Sequence, residues 1–419
     1  MLTRQETGRL VVRTVAITDP GDLLERLPQP DVVAWVHHGA GLAGWGEAIR
    51  VTLPAGDDRF TAAEKWLRSA FDSLDVDDRV RVRGSGPVAF GTFTFDASSD
   101  GSVLIVPRTV LGRDGRGHAW LTTVTERGEV PATWPPPEGP GLAAPTGIRW
   151  RDGSLPGPRW EQAVADAVAA IKAGGLRKVV LARDVFATAD EPIDARVLLR
   201  RLAARYPDCF TFACDGMLGA TPELLVRRDG HQVSALVLGG TLPRGANPAE
   251  DRALGAELLA SAKNNEEHAY AVDSIRDALG LLCDTLDVDA RPSLLKFPNL
   301  QHLGTRVRGT LADGQALRSA LALAAAVHPP AAVCGTPTGT ALDLIRELEQ
   351  MDRERYAGPV GWVDASGNGE WGIALRCGQL SGRTARLFAG CGIVAGSEPA
   401  AELAETLVKL QPMRGALEG

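Results

Sequence analysis

The sequence lacks the features that mark secreted, membrane-spanning and nucleic-acid-binding chains. Its 419 residues carry a formal net charge of −7 without a lysine- or arginine-rich run, which argues against nucleic acid or an anionic membrane as a partner. No stretch is apolar enough over a sufficient length to span a bilayer, and the first residues lack the apolar core of a signal peptide. We therefore expect a soluble, cytoplasmic, globular protein.

Familiar zinc and disulfide patterns are absent as well. The cysteines form no C-x-x-C pair and no histidine-paired zinc spacing, and the H-E-x-x-H helix of the zincins is missing. We expect reduced and mostly buried thiols at all six positions. These positions are Cys209, Cys214, Cys283, Cys334, Cys377 and Cys391.

The order of strand-like and helix-like runs predicts an α+β fold. Residues 8–126 alternate strand-like runs with turns, and one helix interrupts them at 61–74. Several strands before helices, without strict alternation, favour antiparallel pairing over a doubly wound sheet. Residues 127–147 are rich in proline and glycine and predict a long loop. We expect one domain over 1–419: a sheet-forming part at 1–126, this loop, and a part at 148–419 that carries the candidate site residues.

Lys178 begins a strand-like run after the predicted loop. Alternation places its side chain on the same face as Val180 and Ala182. One interpretation is a lysine at the end of a strand that extends its ammonium group into water. The alternative is an amine so desolvated that it loses its proton near neutral pH and acts as a base.

Glu223 follows Pro222 between a Gly/Thr turn and an apolar run. A carboxyl group at the start of a strand is usually exposed and ionised. If Glu223 is buried instead, its pKa rises, and the group can carry a proton to a leaving group. The position therefore suits a general acid.

Residues 257–282 predict one long helix, on which two adjacent glutamates face different ways. Glu266 shares a face with polar residues, whereas Glu267 lines up with small residues that allow close packing. Glu267 is therefore the better candidate for a buried carboxylate. A buried carboxylate at a hard-cation site favours Mg²⁺ and a second acidic ligand, which Glu405 can supply.

The segment 386–410 predicts a strand, a glycine turn and a helix with Ser397 as its N-cap. Helical spacing predicts an apolar stripe of Leu403, Leu407 and Leu410. Glu402, Glu405 and Lys409 share another face. Taken alone, they fit the solvated face of an amphipathic helix. With partners elsewhere, they would form a metal and anion site beside the glycines.

Two further features suit the binding of a carboxylate group. A strand runs into a turn at Gly240 and Thr241, where free backbone N–H groups can bind an anion. Arg376 is predicted on a strand just before the C-terminal segment, and its guanidinium is a natural fork for a carboxylate.

The order of these motifs resembles that of the chorismate-utilising enzymes, and most closely isochorismate synthase of siderophore or menaquinone pathways. The resemblance covers residues 155–417. In order, the motifs are K-V-V-L-A-R, G-A-T-P-E-L-L, L-G-G-T-x-P-R-G, S-x-K-x-x-x-E-H, H-L-x-T, H-P-x-x-A-V-C-G-T-P, R-x-x-Y-A-G-P-V-G-W, I-A-L-R, F-A-G-C-G-I-V and E-x-x-E-T-x-x-K.

The resemblance implies an anthranilate synthase component I-like fold, in which helices surround antiparallel sheets and Mg²⁺ lies in a central cleft. It implies Lys178 as general base and Glu223 as general acid. Glu267 and Glu405 match the Mg²⁺ ligands, and Glu402 matches a neighbouring acid. The matched substrate-binding positions are Gly240, Thr241, His302, Tyr356, Arg376, Gly390, Gly392 and Lys409.

The implied reaction converts chorismate to isochorismate by water attack at C2 with loss of the C4 hydroxyl. Salicylate synthase and a non-catalytic homologue that binds chorismate remain alternatives, whereas Lys178 disfavours the use of ammonia by an anthranilate synthase. Asn264 stands where the family motif commonly has aspartate, so weaker Mg²⁺ affinity is expected. We expect a monomer or a weak homodimer.

Overall fold

The computed structural model describes residues 10–136, 139, 141–315 and 318–419. Its strands are β1 (Leu10–Ala16), β2 (Val32–His37), β3 (Ala40–Leu53), β4 (Asp75–Asp78), β5 (Val88–Thr92), β6 (Ser102–Arg113), β7 (Ala119–Glu126), β8 (Arg149–Asp152), β9 (Lys178–Thr188), β10 (Phe210–Cys214), β11 (Met217–Thr221), β12 (Leu224–Asp229), β13 (Gln232–Pro243), β14 (Cys283–Val288), β15 (Ser293–Lys296), β16 (Leu300–Leu311), β17 (Gly335–Thr336), β18 (Pro359–Asp364), β19 (Gly369–Ile373), β20 (Cys377–Ser381) and β21 (Thr384–Ile393). Its helices are α1 (Arg59–Asp72), α2 (Gly157–Ala173), α3 (Ala195–Arg205), α4 (Pro248–Ala260), α5 (Ala262–Gly280), α6 (Ala320–Val327), α7 (Thr338–Glu349) and α8 (Pro399–Glu418). Short 3-10 turns lie at Leu23–Arg26 and Asp313–Gln315.

Antiparallel pairing connects the strands into one branched sheet, except that β4 pairs with β1 in parallel. From β1 the sheet runs through β7, β6, β3, β2, β10, β11, β20 and β21 to β9. A second branch leaves β6 through β5, β18, β19, β12 and β13 to β16. Helices α5 and α8 pack on β13 and β21 respectively. The predicted α+β class with antiparallel sheets is confirmed.

Beside the candidate site the chain crosses from one branch to the other, and we call this place the split in the sheet. Strand β11 pairs with β20, whereas the next strand, β12, pairs with β19. The connections that cross this split are Pro222–Glu223 on one side and Ala374–Arg376 on the other. The split therefore leaves a gap in the sheet, and polar side chains point into this gap.

The prediction of one helix over 257–282 is wrong, because the chain breaks at Ser261. Ser261 has extended backbone angles and its hydroxyl accepts a hydrogen bond from the Asn264 N–H, so it ends α4 and caps α5. The predicted helix at 61–74 corresponds to α1. The sequence pattern also predicts a helix over 316–326; the structure has α6 at Ala320–Val327, and residues 316 and 317 lie outside the described residues.

Helix α8 faces the protein with a different side than the sequence pattern predicts. Leu407 is 48% exposed, whereas Glu402 and Thr406 are buried in line with Leu410. Ser397 is not the N-cap either: Glu398 holds that position, and the Ser397 hydroxyl accepts from the Val394 N–H instead. The inward face thus begins with a carboxylate, which excludes the solvated-face interpretation for Glu402.

Two apolar clusters support this arrangement. The larger one includes Trp35, Trp160 and Trp371, and the other packs α3 and α8 against the sheet. All six cysteines are unpaired, and all except the partly exposed Cys283 are buried. Among the described residues of 127–147, none belongs to a helix or strand, while residues 137, 138 and 140 lie outside them. No described helix combines the length and apolarity needed to cross a membrane.

Candidate active site

All of the predicted substrate-binding residues line one cavity at the split in the sheet. Glu223 and Glu267 line it as well. Lys178 and Glu405 lie behind this wall, where they contact Glu267 and Lys409 respectively. The cavity therefore joins residues from β9, β13, α5, β21 and α8 that are far apart in the sequence.

Lys178 is buried rather than extended into water. It is the first residue of β9 and is 1% exposed, which contradicts the interpretation of a lysine whose ammonium reaches solvent. β9 pairs with β21 on one edge and with β17 and β8 on the other, and its successive side chains from Lys178 to Asp184 are all buried, so both of its faces are covered. The Lys178 Nζ atom lies 3.3 Å from Glu267 Oε1. The amine is therefore buried directly behind a residue that lines the cavity.

Glu223 is 5% exposed and sits on the connection between β11 and β12. Burial raises the pKa of this carboxyl to about 7, although the Leu238 N–H and the positive charge of Lys178 oppose the shift. The Leu238 N–H donates to Glu223 Oε1 at 3.4 Å. The group can therefore hold a proton near neutral pH, as a general acid must.

Three carboxylates, Glu267, Glu402 and Glu405, form what we call the acidic trio. Each contacts one lysine: Lys178 with Glu267 at 3.3 Å, Lys263 with Glu402 at 2.8 Å, and Lys409 with Glu405 at 2.5 Å. Burial opposes the charge of Lys263, but its hydrogen bond with Glu402 and the negative charges of the whole trio raise its pKa. Only Glu402 contacts Lys263, but the charges of all three carboxylates act on its ammonium group.

The trio suits a metal by its chemistry but is not arranged as a finished metal site. Within the described ranges, no three histidine, cysteine or acidic side chains form a cluster ready to hold a metal ion. Carboxylate oxygens are nevertheless the donors that Mg²⁺ prefers, and the trio already surrounds the Lys263 ammonium with negative charge. These residues therefore fit a hard divalent cation.

The predicted turn at Gly240 is a bulge within β13. Gly239 and Thr241 pair with consecutive residues of β16, so Gly240 between them has no pairing partner on that strand. Its φ of 60° is left-handed. The strand then continues to Pro243 instead of ending in a turn. The bulge leaves the Gly240 carbonyl free to accept a hydrogen bond from His302.

His302 is a neutral histidine whose tautomer is set by its partners. Burial lowers its pKa well below the ordinary value. Nδ1 lies 3.2 Å from the Gly240 carbonyl, which can only accept, so Nδ1 carries the hydrogen. Nε2 then accepts from Arg376 Nη2 at 3.2 Å. His302 therefore holds Arg376 in the cavity.

Arg376 does not lie on a strand, as the sequence predicts, but in the bend between β19 and β20. Its φ of 50° is left-handed, an unusual conformation for a residue with a side chain. The bend occurs where the chain leaves the β12 side of the split and joins β11. Among the residues that the structure describes, no carboxylate lies within ion-pair distance of Arg376. Its guanidinium is therefore available to an anion.

Gly390 and Gly392 belong to β21 and do not form the predicted turn. They pair with Ala182 and Val180 of β9. A Cβ at Gly392 would overlap Glu267 Oε1 and approach the Lys178 Cε to 2.9 Å. These glycines therefore allow other groups to come close, and the turn follows at Gly396.

Tyr356 and Lys409 complete the wall. Tyr356 is 4% exposed and stacks on Phe388 with ring centroids 5.1 Å apart. Lys409 donates to the Gly390 carbonyl at 2.9 Å, so α8 is attached to β21 at the cavity. Both side chains are held in place by the fold.

Comparison with known proteins identifies this architecture. The model of the family described as chorismate binding enzyme matches residues 148–418. The chain belongs to this family. The match covers every residue of the cavity described above.

The chain is similar to individual chorismate binding enzymes over different lengths. The chain is 43% identical over 269 residues to isochorismate synthase DhbC of Bacillus subtilis (strain 168), covering 62% of this chain and 67% of the relative. It is 34% identical over 423 residues to the salicylate biosynthesis isochorismate synthase of Pseudomonas aeruginosa, covering 93% and 85%. The solved menaquinone-specific isochorismate synthase MenF of Escherichia coli matches with a TM-score of 0.76 at 26% identity, covering 98% of this chain and 95% of that chain. The predicted family and fold are confirmed.

Two features of the site were not predicted from the sequence. Lys263 contacts the acidic trio, and its position four residues before Glu267 on α5 was a usable signal. Glu349 and Arg353 form a fully buried ion pair, whose members also bond to β9 at the Ala182 N–H and the Val180 carbonyl. This pair supports the strand that carries Lys178.

Proposed function

We propose that this chorismate binding enzyme is an isochorismate synthase, which converts chorismate to isochorismate by water attack at C2 with loss of the C4 hydroxyl. One observation carries the proposal: a buried carboxyl group with a pKa near 7, Glu223, shares a cavity with an arginine that lacks a carboxylate partner among the described residues. The names of the similar proteins support the same activity.

The reaction requires one group that accepts a proton and another that donates one. The Lys178 amine would take a proton from water as the water oxygen attacks C2. Protonated Glu223 would give its proton to the C4 hydroxyl, which leaves as water while the ring double bonds shift. The positive charge of Lys178 opposes the rise in the pKa of Glu223. This interaction supports the proposal that the two groups act on the same substrate ring.

The charged and polar wall would bind the two carboxylates of chorismate. Arg376, held by His302, would make a charge-assisted pair with the enolpyruvyl carboxylate. Tyr356 and the backbone N–H groups beside the cavity glycines would add hydrogen bonds to the same group. Binding by rigid elements keeps the ring in one orientation between base and acid.

The acidic trio would hold Mg²⁺, with Glu267 and Glu405 as ligands and Glu402 beside them. When bound, the metal would supply positive charge to the ring carboxylate. Glu267 would then bind the metal instead of Lys178. This exchange would leave the Lys178 amine without its carboxylate partner when substrate is present.

Product analysis tests the proposal. Purified protein is incubated with chorismate and Mg²⁺ in H₂¹⁸O, and the products are separated and weighed by mass spectrometry. We expect isochorismate that carries one ¹⁸O atom, and no conversion when Mg²⁺ is removed by a chelator. Glu191→Gln, at an exposed position outside the cavity lining, serves as a matched control for Glu223→Gln.

Three results would contradict the proposal in different ways. Folded protein that leaves chorismate unchanged would refute the activity. Isochorismate without ¹⁸O would refute water attack. Salicylate with pyruvate, detected by salicylate fluorescence, would assign the chain to the alternative activity of a salicylate synthase.

A further inference from the structure

Lys263 places a charge in the site that the proposed reaction does not use. Its ammonium lies 2.8 Å from Glu402 Oε1. The carboxyl side chain is 4% exposed, whereas the lysine side chain is 40% exposed. The pair therefore joins a buried acid to a cation that reaches it from the solvent side.

Lys263 also interacts with the rest of the acidic trio. It lies one helical turn before Glu267 on α5, so both side chains project from the same face. Glu402 and Glu405 belong to α8, and Glu402 is the one that contacts Lys263. The negative charges of all three carboxylates act on the Lys263 ammonium. The ammonium therefore occupies a position that all three acids can reach electrostatically.

The other two lysines of the site are much less free to leave. The side chains of Lys178 and Lys409 are 1% and 11% exposed. Lys409 is further fixed by its hydrogen bond to the Gly390 carbonyl. Lys263 can turn its ammonium into water by rotating a flexible four-carbon stem, with no rearrangement of the core.

We infer that Lys263 is an internal, displaceable cation that neutralises Glu402 when no metal is bound and competes with the divalent cation for that carboxylate. The inference takes the acidic trio of the proposed function as the metal site, and it adds that Glu402, placed there only beside the ligands, also binds the metal. It implies that Lys263 stabilises the metal-free protein and weakens its metal affinity, because each bound metal must first break the Lys263–Glu402 pair.

Direct metal binding tests this inference without any turnover. Free Mn²⁺ is titrated with the full-length protein and followed by the loss of its solution EPR signal. We compare wild type with Lys263→Met, which keeps the apolar stem and removes the charge. Lys65→Met, at an exposed position on α1, controls for the change in net charge.

We expect Lys263→Met to bind Mn²⁺ about tenfold more tightly than wild type, because the charge-assisted bond that the metal must break is absent. Lys65→Met should bind like wild type. Without metal, Lys263→Met should melt at a lower temperature than wild type, and saturating Mn²⁺ should remove that difference. Equal or weaker Mn²⁺ binding by Lys263→Met would overturn the inference.

Glu402→Gln separates competition for one carboxylate from a general effect of charge. If Lys263 acts through Glu402, adding Lys263→Met to Glu402→Gln should give little further gain in Mn²⁺ affinity. A full tenfold gain in that background would refute the stated role. If wild type binds no Mn²⁺ at all, the proposed metal site fails together with the inference. Equal binding by wild type and Lys263→Met refutes the inference alone.

Discussion

Glu223→Gln is the substitution that isolates the buried acid of this site. Glutamine has nearly the same shape as glutamic acid, and its carbonyl oxygen can still accept from the Leu238 N–H. It cannot ionise or donate an acidic proton. Turnover should therefore fall by a factor on the order of 10²–10⁴, the usual contribution of a general acid.

The same substitution changes how stability depends on pH, by an amount that follows from the pKa shift. Burial raises the pKa of Glu223 from 4.5 to about 7. The native protein thus keeps this proton in a range where the unfolded chain has lost it, so wild-type stability falls as pH rises from 4.5 to about 7. The full loss is about 3 kcal/mol, and Glu223→Gln should not show it.

Urea unfolding followed by tryptophan fluorescence measures this difference. Midpoints are compared at about pH 5 and about pH 8 for wild type, Glu223→Gln and the exposed control Glu191→Gln, and converted to free energies by the measured slopes. We expect Glu223→Gln to gain about 2.5 kcal/mol relative to wild type over this interval, because the unfolded wild type has already lost part of the proton at pH 5. A constant difference between the two proteins at all pH values would refute the reasoning, because it would mean that Glu223 titrates alike in both states.

Three further substitutions test other parts of the site. Lys178→Met should lower isochorismate formation by a factor on the order of 10²–10⁴ while circular dichroism shows an intact fold, and comparable activity would remove the assigned base. Gly392→Ala should destabilise the protein by about 1–3 kcal/mol in urea, whereas Gly396→Ala, with open space around its Cβ, should be nearly neutral, and equal effects would contradict the close packing. Arg353→Met should cost about 3–5 kcal/mol of unfolding free energy, because it leaves the buried Glu349 carboxylate unpaired, and a loss below about 1 kcal/mol would show that the pair is not needed.

Spacing along single elements predicts much of the site. Helical periodicity separates Glu267 from Glu266, and the structure indeed leaves Glu266 exposed while Glu267 lines the cavity. Strand alternation singles out Lys178, although the burial of both faces of β9 depends on elements elsewhere in the chain, such as α2 and α7. The catalytic and ligand roles of these residues stay predictions until the experiments above are done.

The errors arise where packing between distant segments overrides local pattern. Hydrophobicity alone predicts that the leucines of α8 face the core. The helix instead buries Glu402 and exposes Leu407, because its inner face packs against the acidic site. Arg376 sits in a left-handed bend because the strands on either side of it join different branches of the sheet. Neither the branch point nor its partners can be read from a local window of residues.

The fold can bury this many ionisable groups because most of their charges cancel. Each carboxylate of the acidic trio faces one lysine, and Glu223 can remain protonated up to a pH of about 7. Arg376 is the exception, since neutral His302 contacts it and no described carboxylate pairs with it. A desolvated charge without a partner raises the free energy of the folded protein. An anionic ligand that pairs with Arg376 would offset this cost. If a divalent cation bound without substrate, it would add two positive charges to the site. If a substrate with two carboxylates bound without the cation, it would add two negative charges. The same charges therefore favour binding of the two together over binding of either alone.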